Sequence, residues 1–160
     1  MTTTTTTTNA TTTLPTGRSP LDLVVGFYET VFSISSDETP APRDAIKALI
    51  ETAAGAGGLP WDGHTLKADD LFNWRESFLD RFDQMVFRAQ DVISRPVNMG
   101  TGHLVGVAMG WHIDAIDHAG ARWELDGISL VNWDVDAGHP VSNDQLGDAG
   151  DPGGWTIVSS

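Results

Sequence analysis

The sequence predicts an α+β fold in which helices pack on one face of an antiparallel sheet. Two observations support this prediction. The first half contains three segments whose apolar residues recur at helical spacing, and the second half is dominated by strand-like apolar runs. Within residues 102–147 these runs are broken at Ala119-Gly120 and Ala137-Gly138, and such small, turn-prone pairs are typical of a meander.

Length and composition narrow the class of protein. The chain has 160 residues, which is enough for one domain with a substantial core. A formal net charge of −13 argues against nucleic acid or an anionic membrane as a partner. The absence of Cys excludes disulfides, thiol catalysis and thiolate metal sites. No apolar run reaches the ~18 residues of a membrane span and no secretory signal is recognisable, so we expect a cytoplasmic protein.

The N-terminal part is expected to contain a tail and a first helix. Residues 1–17 are mostly Thr and cannot bury enough apolar surface to offset the entropy lost on ordering. This composition predicts a disordered tail, with a Thr-rich edge strand as the alternative. A helix is expected from Ser19, which can cap, with Pro20 in the first helical position. Tyr28 lies on its apolar stripe and is either a core residue or a functional one. The stripe consists of Leu21, Val24, Val25, Tyr28, Val31 and Phe32.

A polar loop and a second helix are expected next. The loop covers residues 34–42, and its Asp37 and Glu38 are predicted to be solvated. The helix is predicted over residues 43–54 and ends at the glycine-rich stretch 55–58. Its inward side chains are predicted to be Ala45, Ile46, Leu49 and Ile50.

The third helical segment is preceded by a short strand or loop at residues 59–64, which places Asp62 and His64 beside Trp61. The helix is predicted over residues 68–82, and a strand over residues 85–93 is expected to stop near Pro96. The apolar stripe of this helix consists of Leu71, Trp74, Phe78, Leu79 and Phe82. After the meander, residues 148–160 are expected to form a tail.

The first strand of the meander has two unlike faces, because successive side chains of a strand point to opposite sides. The bulky face consists of Val105, Val107, Met109, Trp111 and Ile113. The opposite face consists of Gly106, Ala108, Gly110, His112 and Asp114. Small residues leave room either for a closely packed helix or for a ligand cavity with His112 and Asp114 at its rim. If helices cover the small-residue face, the bulky face needs a second subunit, which predicts a homodimer.

Three motifs carry a family resemblance. They are Phe78-Leu79-Asp80-Arg81-Phe82-Asp83, then Gly110-Trp111-His112, then Trp133-Asp134-Val135-Asp136-Ala137-Gly138 followed by Asn143-Asp144-Gln145-Leu146-Gly147. Their order and spacing resemble the SnoaL-like polyketide cyclases of the NTF2-like superfamily. Three details depart from the family pattern. Asp83 follows Phe82 without an intervening Pro, and the loop after His112 is shorter and lacks the usual Pro-Thr-Gly. The stretch between the closing hairpin and Gln145-Leu146-Gly147 is compressed, which bears on the match of Asp144 to the family's catalytic Asp.

The resemblance implies a half-barrel over residues 18–147, in which a curved antiparallel sheet is wrapped by three N-terminal helices around an apolar pocket. The implied activity is a cofactor-independent cyclase of lyase or isomerase type. Such an enzyme closes a ring in a large apolar polyketide-type intermediate, as in antibiotic biosynthesis, by acid–base catalysis, by holding a folded conformer in a deep pocket, or by both. The alternatives are an epoxide hydrolase or ring-opening cyclase, a ketosteroid-isomerase-like enzyme, and a non-catalytic binding or dimerisation module.

The resemblance and the ionisable residues together predict the residues of a catalytic site. Asp144 matches the family's catalytic Asp and His112 is its predicted acid–base partner, with Asp62 or Asp114 in reserve. Simpler roles stay open: Asp144 and Asp62 as turn residues and His112 as a satisfied core histidine. The substrate is predicted to contact Tyr28, Trp61, His64, Trp74, Phe78, Trp111, Asn132 and Trp133.

A metal centre is not predicted from the sequence. The spacing His112-x-Asp114-x-x-Asp117-His118 offers imidazole and carboxylate ligands, which suit zinc or iron. Strand alternation and the following turn are not expected to bring four of them together, so neither a metal nor another cofactor is assigned.

Overall fold

The computed structural model describes residues 20–97, 104–146 and 154–159. The Thr-rich segment at residues 1–17 lies outside these residues, so its predicted disorder stays a prediction. The elements in chain order are α1 (Pro20–Val31), β1 (Ile34–Ser35), α2 (Pro40–Ala54), β2 (Leu59–Trp61), β3 (His64–Leu66), α3 (Ala68–Ser77), β4 (Phe82–Val97), β5 (Leu104–Asp117), β6 (Arg122–Asp134), β7 (His139–Leu146) and β8 (Thr156–Ser159).

The strands confirm the predicted α+β class. Strands β4, β5, β6 and β7 form an antiparallel meander, with β1 added beside β4 and β8 added beside β6. Strands β2 and β3 form a separate hairpin. The three helices and the curled sheet make the half-barrel expected from the resemblance. Within the part of the chain that the structure covers, no helix has both the length and the apolar character needed to cross a membrane.

The helices cover the bulky face of the sheet, which we call the inner face. Val107, Met109 and Trp111 are buried there in the same core as Val24 and Val31 of α1. The opposite, outer face carries the small residues of β5, and their side chains are only partly covered. The prediction of a ligand cavity on the small-residue face is therefore wrong. Large apolar side chains gain more from burial than small ones, so the helices pack against the bulky face.

Two expectations for the N-terminal helices need correction. α2 begins at Pro40 instead of residue 43, and part of the expected loop forms β1, which pairs with β4. Ala45, predicted inward, is exposed, whereas Ala53 and Ala54 are buried. α1 begins at Pro20, which is the predicted first helical position, whereas the predicted cap Ser19 lies outside the described residues.

Arg75 joins the helices through a buried guanidinium group. Its side chain is 0% exposed, Nε donates to the Val31 carbonyl at 2.6 Å, and Nη2 donates to the Ser33 carbonyl at 3.0 Å. Arg75 thereby supplies a donor to the last carbonyl of α1 and to the Ser33 carbonyl just beyond the helix. Nη1 also pairs with Glu76 at 2.7 Å and Nη2 with Glu38 at 3.2 Å. The prediction that Glu38 is simply solvated is wrong, because its carboxylate neutralises this buried cation.

The boundaries around β4 also differ from expectation. α3 ends at Ser77 and a short 3-10 turn follows, because Phe82 already belongs to β4 and pairs with Asp117. β4 continues through Pro96, which pairs with Val105. This end of β4 is bordered by β5 on one side and, among the described residues, by no strand on the other. A proline fits such an edge position because it has no N–H to donate.

The C-terminal segment, expected to be a tail, contains β8. Trp155 precedes it and is buried, with its ring 4.8 Å from the ring of Phe82. The Arg81 guanidinium lies 4.6 Å from the ring of Trp123 and 5.9 Å from that of Trp155. Cation–π contacts and ring packing thus fix the end of the chain against the sheet.

Candidate active site on the inner face

Five side chains form a continuous hydrogen-bonded chain on the inner face, which we call the inner network. Trp111 Nε1 donates to Ser129 Oγ at 2.9 Å, and the Ser129 hydroxyl donates to Gln145 Oε1. Gln145 Nε2 donates to the Tyr28 hydroxyl at 3.1 Å and also to Asn143 Oδ1. The Tyr28 hydroxyl donates to Asn143 Oδ1. The network links α1 to β5, β6 and β7, so its geometry depends on the whole fold.

Aromatic rings enclose the Tyr28 end of the network. Tyr28 is stacked on Phe87 at a centroid distance of 5.9 Å and lies 6.2 Å from Trp61. The ring of Trp61 lies 5.9 Å from that of Trp74, which in turn lies 5.3 Å from Phe78. A polar group in such surroundings is poorly solvated and interacts strongly with any neighbouring dipole.

The environment keeps the Tyr28 hydroxyl protonated. Burial raises its pKa well above the ordinary range, because the phenolate would lose its hydration. The polar side chains of Gln145, Ser129 and Asn143 lower the pKa in part, and the negative charge of Asp62 raises it further. Tyr28 is therefore a buried neutral hydrogen-bond donor that lies within electrostatic range of a carboxylate.

Asp62 occupies the turn between β2 and β3 and bridges this hairpin to β7. It has a positive φ of 50°, which Asp tolerates better than most residues. Its N–H donates to the Asn143 carbonyl at 2.8 Å, and its Oδ1 accepts the Gln145 N–H at 2.7 Å. The carboxylate is thus held beside two members of the inner network while Asp62 stays exposed.

Gly127 makes room for the indole of Trp111. A Cβ atom at Gly127 would lie 2.1 Å from Trp111 Cζ2 and 2.6 Å from the Leu146 carbonyl oxygen. Both distances are far below van der Waals contact, so residue 127 must be Gly for the ring to lie over the strand. This close approach aims Trp111 Nε1 at Ser129.

The structure gathers most of the predicted substrate contacts on the inner face. Trp133 is buried there, 5.5 Å from Phe27 between ring centroids. Its Nε1 has no acceptor among the described residues. The inner-face set is Tyr28, Trp61, Trp74, Phe78, Trp111 and Trp133. His64 is exposed at the β2–β3 turn opposite Trp61, and Asn132 lies on the outer face, where it donates to Ser142 at 2.8 Å.

The predicted acid–base pair is not brought together. Asp144 is exposed on the outer face of β7 beside Leu130, and His112 lies on the outer face of β5 opposite Asp126. Strand β6 separates the two residues, and the sheet separates both from Tyr28. Asp114 shares the outer face with His112. Of the four predicted catalytic residues, Asp62 alone adjoins the inner network.

Asn143, Gln145 and Ser129 were missed as functional candidates. Asn143 and Gln145 are two residues apart, so strand alternation places them on one face and Asp144 on the other. Since Pro140 and Asn143 are buried and Val141 and Asp144 are exposed, the burial pattern of β7 settles the orientation. The sequence alone shows that Asn143 and Gln145 share a face of the strand, but it does not show which face of β7 is buried.

Comparisons with known proteins identify the fold. No protein-family model and no curated protein sequence matches the chain. An NTF2-like protein of unknown function from Exiguobacterium sp. 255-15 superposes with a TM-score of 0.52 at 13% identity, covering 81% of this chain and 98% of that one. A putative aromatic ring hydroxylase from Novosphingobium aromaticivorans also gives 0.52, at 9% identity over 86% of this chain and 89% of that one. These likenesses show an NTF2-like fold.

Proposed function

We propose that this chain is a cofactor-independent enzyme that closes a ring in a bulky, apolar, polyketide-type intermediate by proton transfer. The observation that carries the proposal is the buried neutral hydroxyl of Tyr28, held in an aromatic enclosure within electrostatic range of the Asp62 carboxylate. A fixed donor for a developing oxyanion and a nearby base are the two groups that enolate chemistry requires. The motif resemblance to the SnoaL-like cyclases supports the same class.

An aldol closure uses these groups in a defined order. The Asp62 carboxylate takes a proton from the carbon beside a ketone, and the electron pair moves onto the ketone oxygen. Tyr28 donates a hydrogen bond to that oxygen, in place of its present bond to Asn143. The enolate carbon attacks a second carbonyl of the same molecule, whose oxygen takes the proton from Asp62. One carbon–carbon bond forms and no atom is lost.

The surroundings suit a large apolar substrate with few polar groups. Trp61, Trp74 and Phe87 offer flat apolar surfaces, which bind fused or folded unsaturated chains well. The buried Trp133 N–H offers a second donor for a distant carbonyl of the substrate. Trp61 is only half-buried and belongs to the same hairpin as Asp62, and we propose that the substrate enters beside this hairpin.

We expect the protein to exchange the α-protons of 2-tetralone, a bicyclic aromatic ketone, for deuterium, and Tyr28→Phe to slow this exchange by about 10²- to 10³-fold. The substitution removes one oxygen atom and preserves the ring that packs on Phe87. NMR in deuterated water measures exchange, and tryptophan fluorescence measures binding. Equal exchange rates in the two proteins would contradict the proposed donor.

A non-catalytic binding module is the second candidate. Tyr28 and Asn143 are both buried, and their side chains are already hydrogen-bonded to each other. Buried polar groups with satisfied hydrogen bonds are also typical of a site that only recognises its ligand. The same experiment separates the two functions. A binding module binds the ketone without accelerating exchange, and Tyr28→Phe then changes the dissociation constant alone.

We also propose that the chain forms a homodimer, although the reason drawn from the sequence was wrong because helices cover the bulky face. The outer face exposes Ile93 at 73%, Leu146 at 62% and Leu130 at 47%. Contiguous exposed apolar side chains favour a partner, and a second copy is the simplest one. Sedimentation velocity should give a dimer at micromolar concentration and a monomer for Leu130→Asp. A monomeric wild type would contradict the proposal.

A further inference from the structure

Four ionisable side chains outside the inner network converge on the outer face. His112 and Asp114 are consecutive outward residues of β5, and Asp126 and Glu124 are their direct partners on β6. We call these four residues the outer cluster. All four side chains rise from two hydrogen-bonded strands, so their relative positions are set by the sheet and not by a loop.

The His112 ring lies between the carboxylates, with each nitrogen engaged separately. Nδ1 lies 2.6 Å from Asp126 Oδ1. Nε2 lies 3.1 Å from Asp114 Oδ1 and 3.6 Å from Glu124 Oε2. When Nδ1–H donates to Asp126, Nε2 of the neutral ring presents a lone pair to two oxygen atoms that also carry lone pairs. That arrangement requires a positive charge at Nε2, either a proton or a cation.

The spacing of the three ligand atoms of His112, Asp114 and Glu124 fits one metal ion. Zinc binds nitrogen and carboxylate oxygen at about 2.0–2.2 Å in tetrahedral geometry, so two ligands of one ion lie about 3.3–3.6 Å apart. The distances from Nε2 are close to this range, and the ligand atoms of His112, Asp114 and Glu124 all lie within 4.8 Å of one another. The Glu124 side chain is 40% exposed, so solvent leaves it room to rotate toward the other two ligands. Gly110, the preceding outward residue of β5, has no side chain to crowd the site.

Two further contacts orient the ligands. Arg88 Nη1 donates to Asp114 Oδ2 at 2.7 Å, which leaves Oδ1 facing His112. Asp126 holds the His112 ring in the tautomer that exposes Nε2. Carboxylates that accept the second N–H of a metal-bound histidine are a regular part of zinc sites. The outer cluster therefore has three candidate ligands and one residue, Asp126, that positions His112, and Arg88 outside the cluster positions Asp114.

We propose that His112, Asp114 and Glu124 bind one divalent transition-metal ion of the zinc class, with Asp126 as the positioning residue for His112. The mixed nitrogen and oxygen ligands favour zinc, cobalt or manganese over calcium, which prefers oxygen alone. The three carboxylates of the cluster outweigh the single charge of Arg88, and the chain's net charge of −13 further favours a cation. Such an ion would link β5 and β6, because its ligands come from both strands. It would take no part in the proposed reaction, because it lies across the sheet from Tyr28.

The test uses Zn²⁺ and Co²⁺ with the full chain. Isothermal titration calorimetry with Zn²⁺ should show one saturable site, and Co²⁺ should give the visible absorption of a nitrogen-ligated ion. His112→Gln and Glu124→Gln should each weaken Zn²⁺ binding by about tenfold or more, and Asp126→Asn by about 10- to 100-fold. Zn²⁺ should also raise the unfolding temperature of the wild type and not that of His112→Gln.

His118→Gln is the matched control. His118 is another partly exposed histidine with a carboxylate partner, since Nδ1 lies 2.7 Å from Asp83 Oδ1, but it lacks further ligands nearby in the described structure. This variant should bind Zn²⁺ as the wild type does. Absence of saturable binding, equal loss in His118→Gln, or an NMR signature of His112 protonated on both nitrogens at saturating Zn²⁺ would each overturn the proposal. The last result would identify a proton as the charge that holds the outer cluster together.

Discussion

Asp62→Asn is expected to lower turnover by about 10²- to 10⁴-fold while leaving the fold intact, because it removes the proposed base and little else. The Asn side-chain oxygen can still accept the Gln145 N–H, and the backbone N–H can still donate to the Asn143 carbonyl. Asn also tolerates the positive φ at this position. The measurement is the rate of 2-tetralone exchange per enzyme, with circular dichroism and urea unfolding as checks on folding.

Asp144→Asn is the matched control and also tests the assignment made from the sequence. It makes the same chemical change on the outer face of β7, in the residue between the two network members Asn143 and Gln145. We expect it to retain the wild-type exchange rate within about twofold, because Asp144 cannot reach a substrate bound at Tyr28. A large loss in Asp144→Asn with full activity in Asp62→Asn would return the catalytic role to Asp144.

Arg75→Met is expected to destabilise the protein by about 3–5 kcal/mol, the usual cost of removing one partner of a buried ion pair. Met preserves much of the apolar stem but leaves Glu38 and two carbonyls without their donor, and it leaves Glu76 with Arg43 as its remaining partner. Urea unfolding gives the change in the free energy of unfolding. The two hydrogen bonds from Arg75 to backbone carbonyls at the end of α1 are also lost, which lowers the free energy of unfolding further. Since α1 carries Tyr28, this part of the fold also bears on the site.

Arg43→Met provides the comparison for this prediction. Arg43 also pairs with Glu76, but its side chain is 42% exposed, so solvent screens the interaction. We expect it to cost less than about 1 kcal/mol. Similar losses in the two variants would mean that the buried position of Arg75 does not set its contribution.

The sequence predicted the class of fold because hydrophobic periodicity is a local property. The alternation of β5 identified both of its faces correctly, and the stripe of α1 correctly placed Tyr28 on the buried side of the helix. Which face the helices cover is not a local property. It depends on the combined apolar surface of Val107, Met109, Trp111 and their neighbours on β6, and these strands come together only in the folded sheet.

The candidate site was predicted in part for the same reason. The aromatic contacts and Asp62 were recoverable, because aromatic residues and turn acids stand out in a sequence. Gln145 and Ser129 are common residues whose importance comes from partners far away along the chain, at Tyr28 and Trp111. Arg75 was missed because a charged residue in a helix is usually solvated, and its burial follows from carbonyls 42 and 44 positions earlier.

The placement of β8 has a consequence for solubility. β7 covers β6 only from Ile128 to Asp134, and β8 pairs with the beginning of β6 at Arg122–Glu124. Without β8 this part of β6 would present unpaired N–H and C=O groups to other molecules, and exposed strand edges of that kind promote intermolecular pairing and aggregation. The short C-terminal strand thus acts as a cover for the sheet, and proteolytic loss of residues 154–159 should make the protein prone to aggregate.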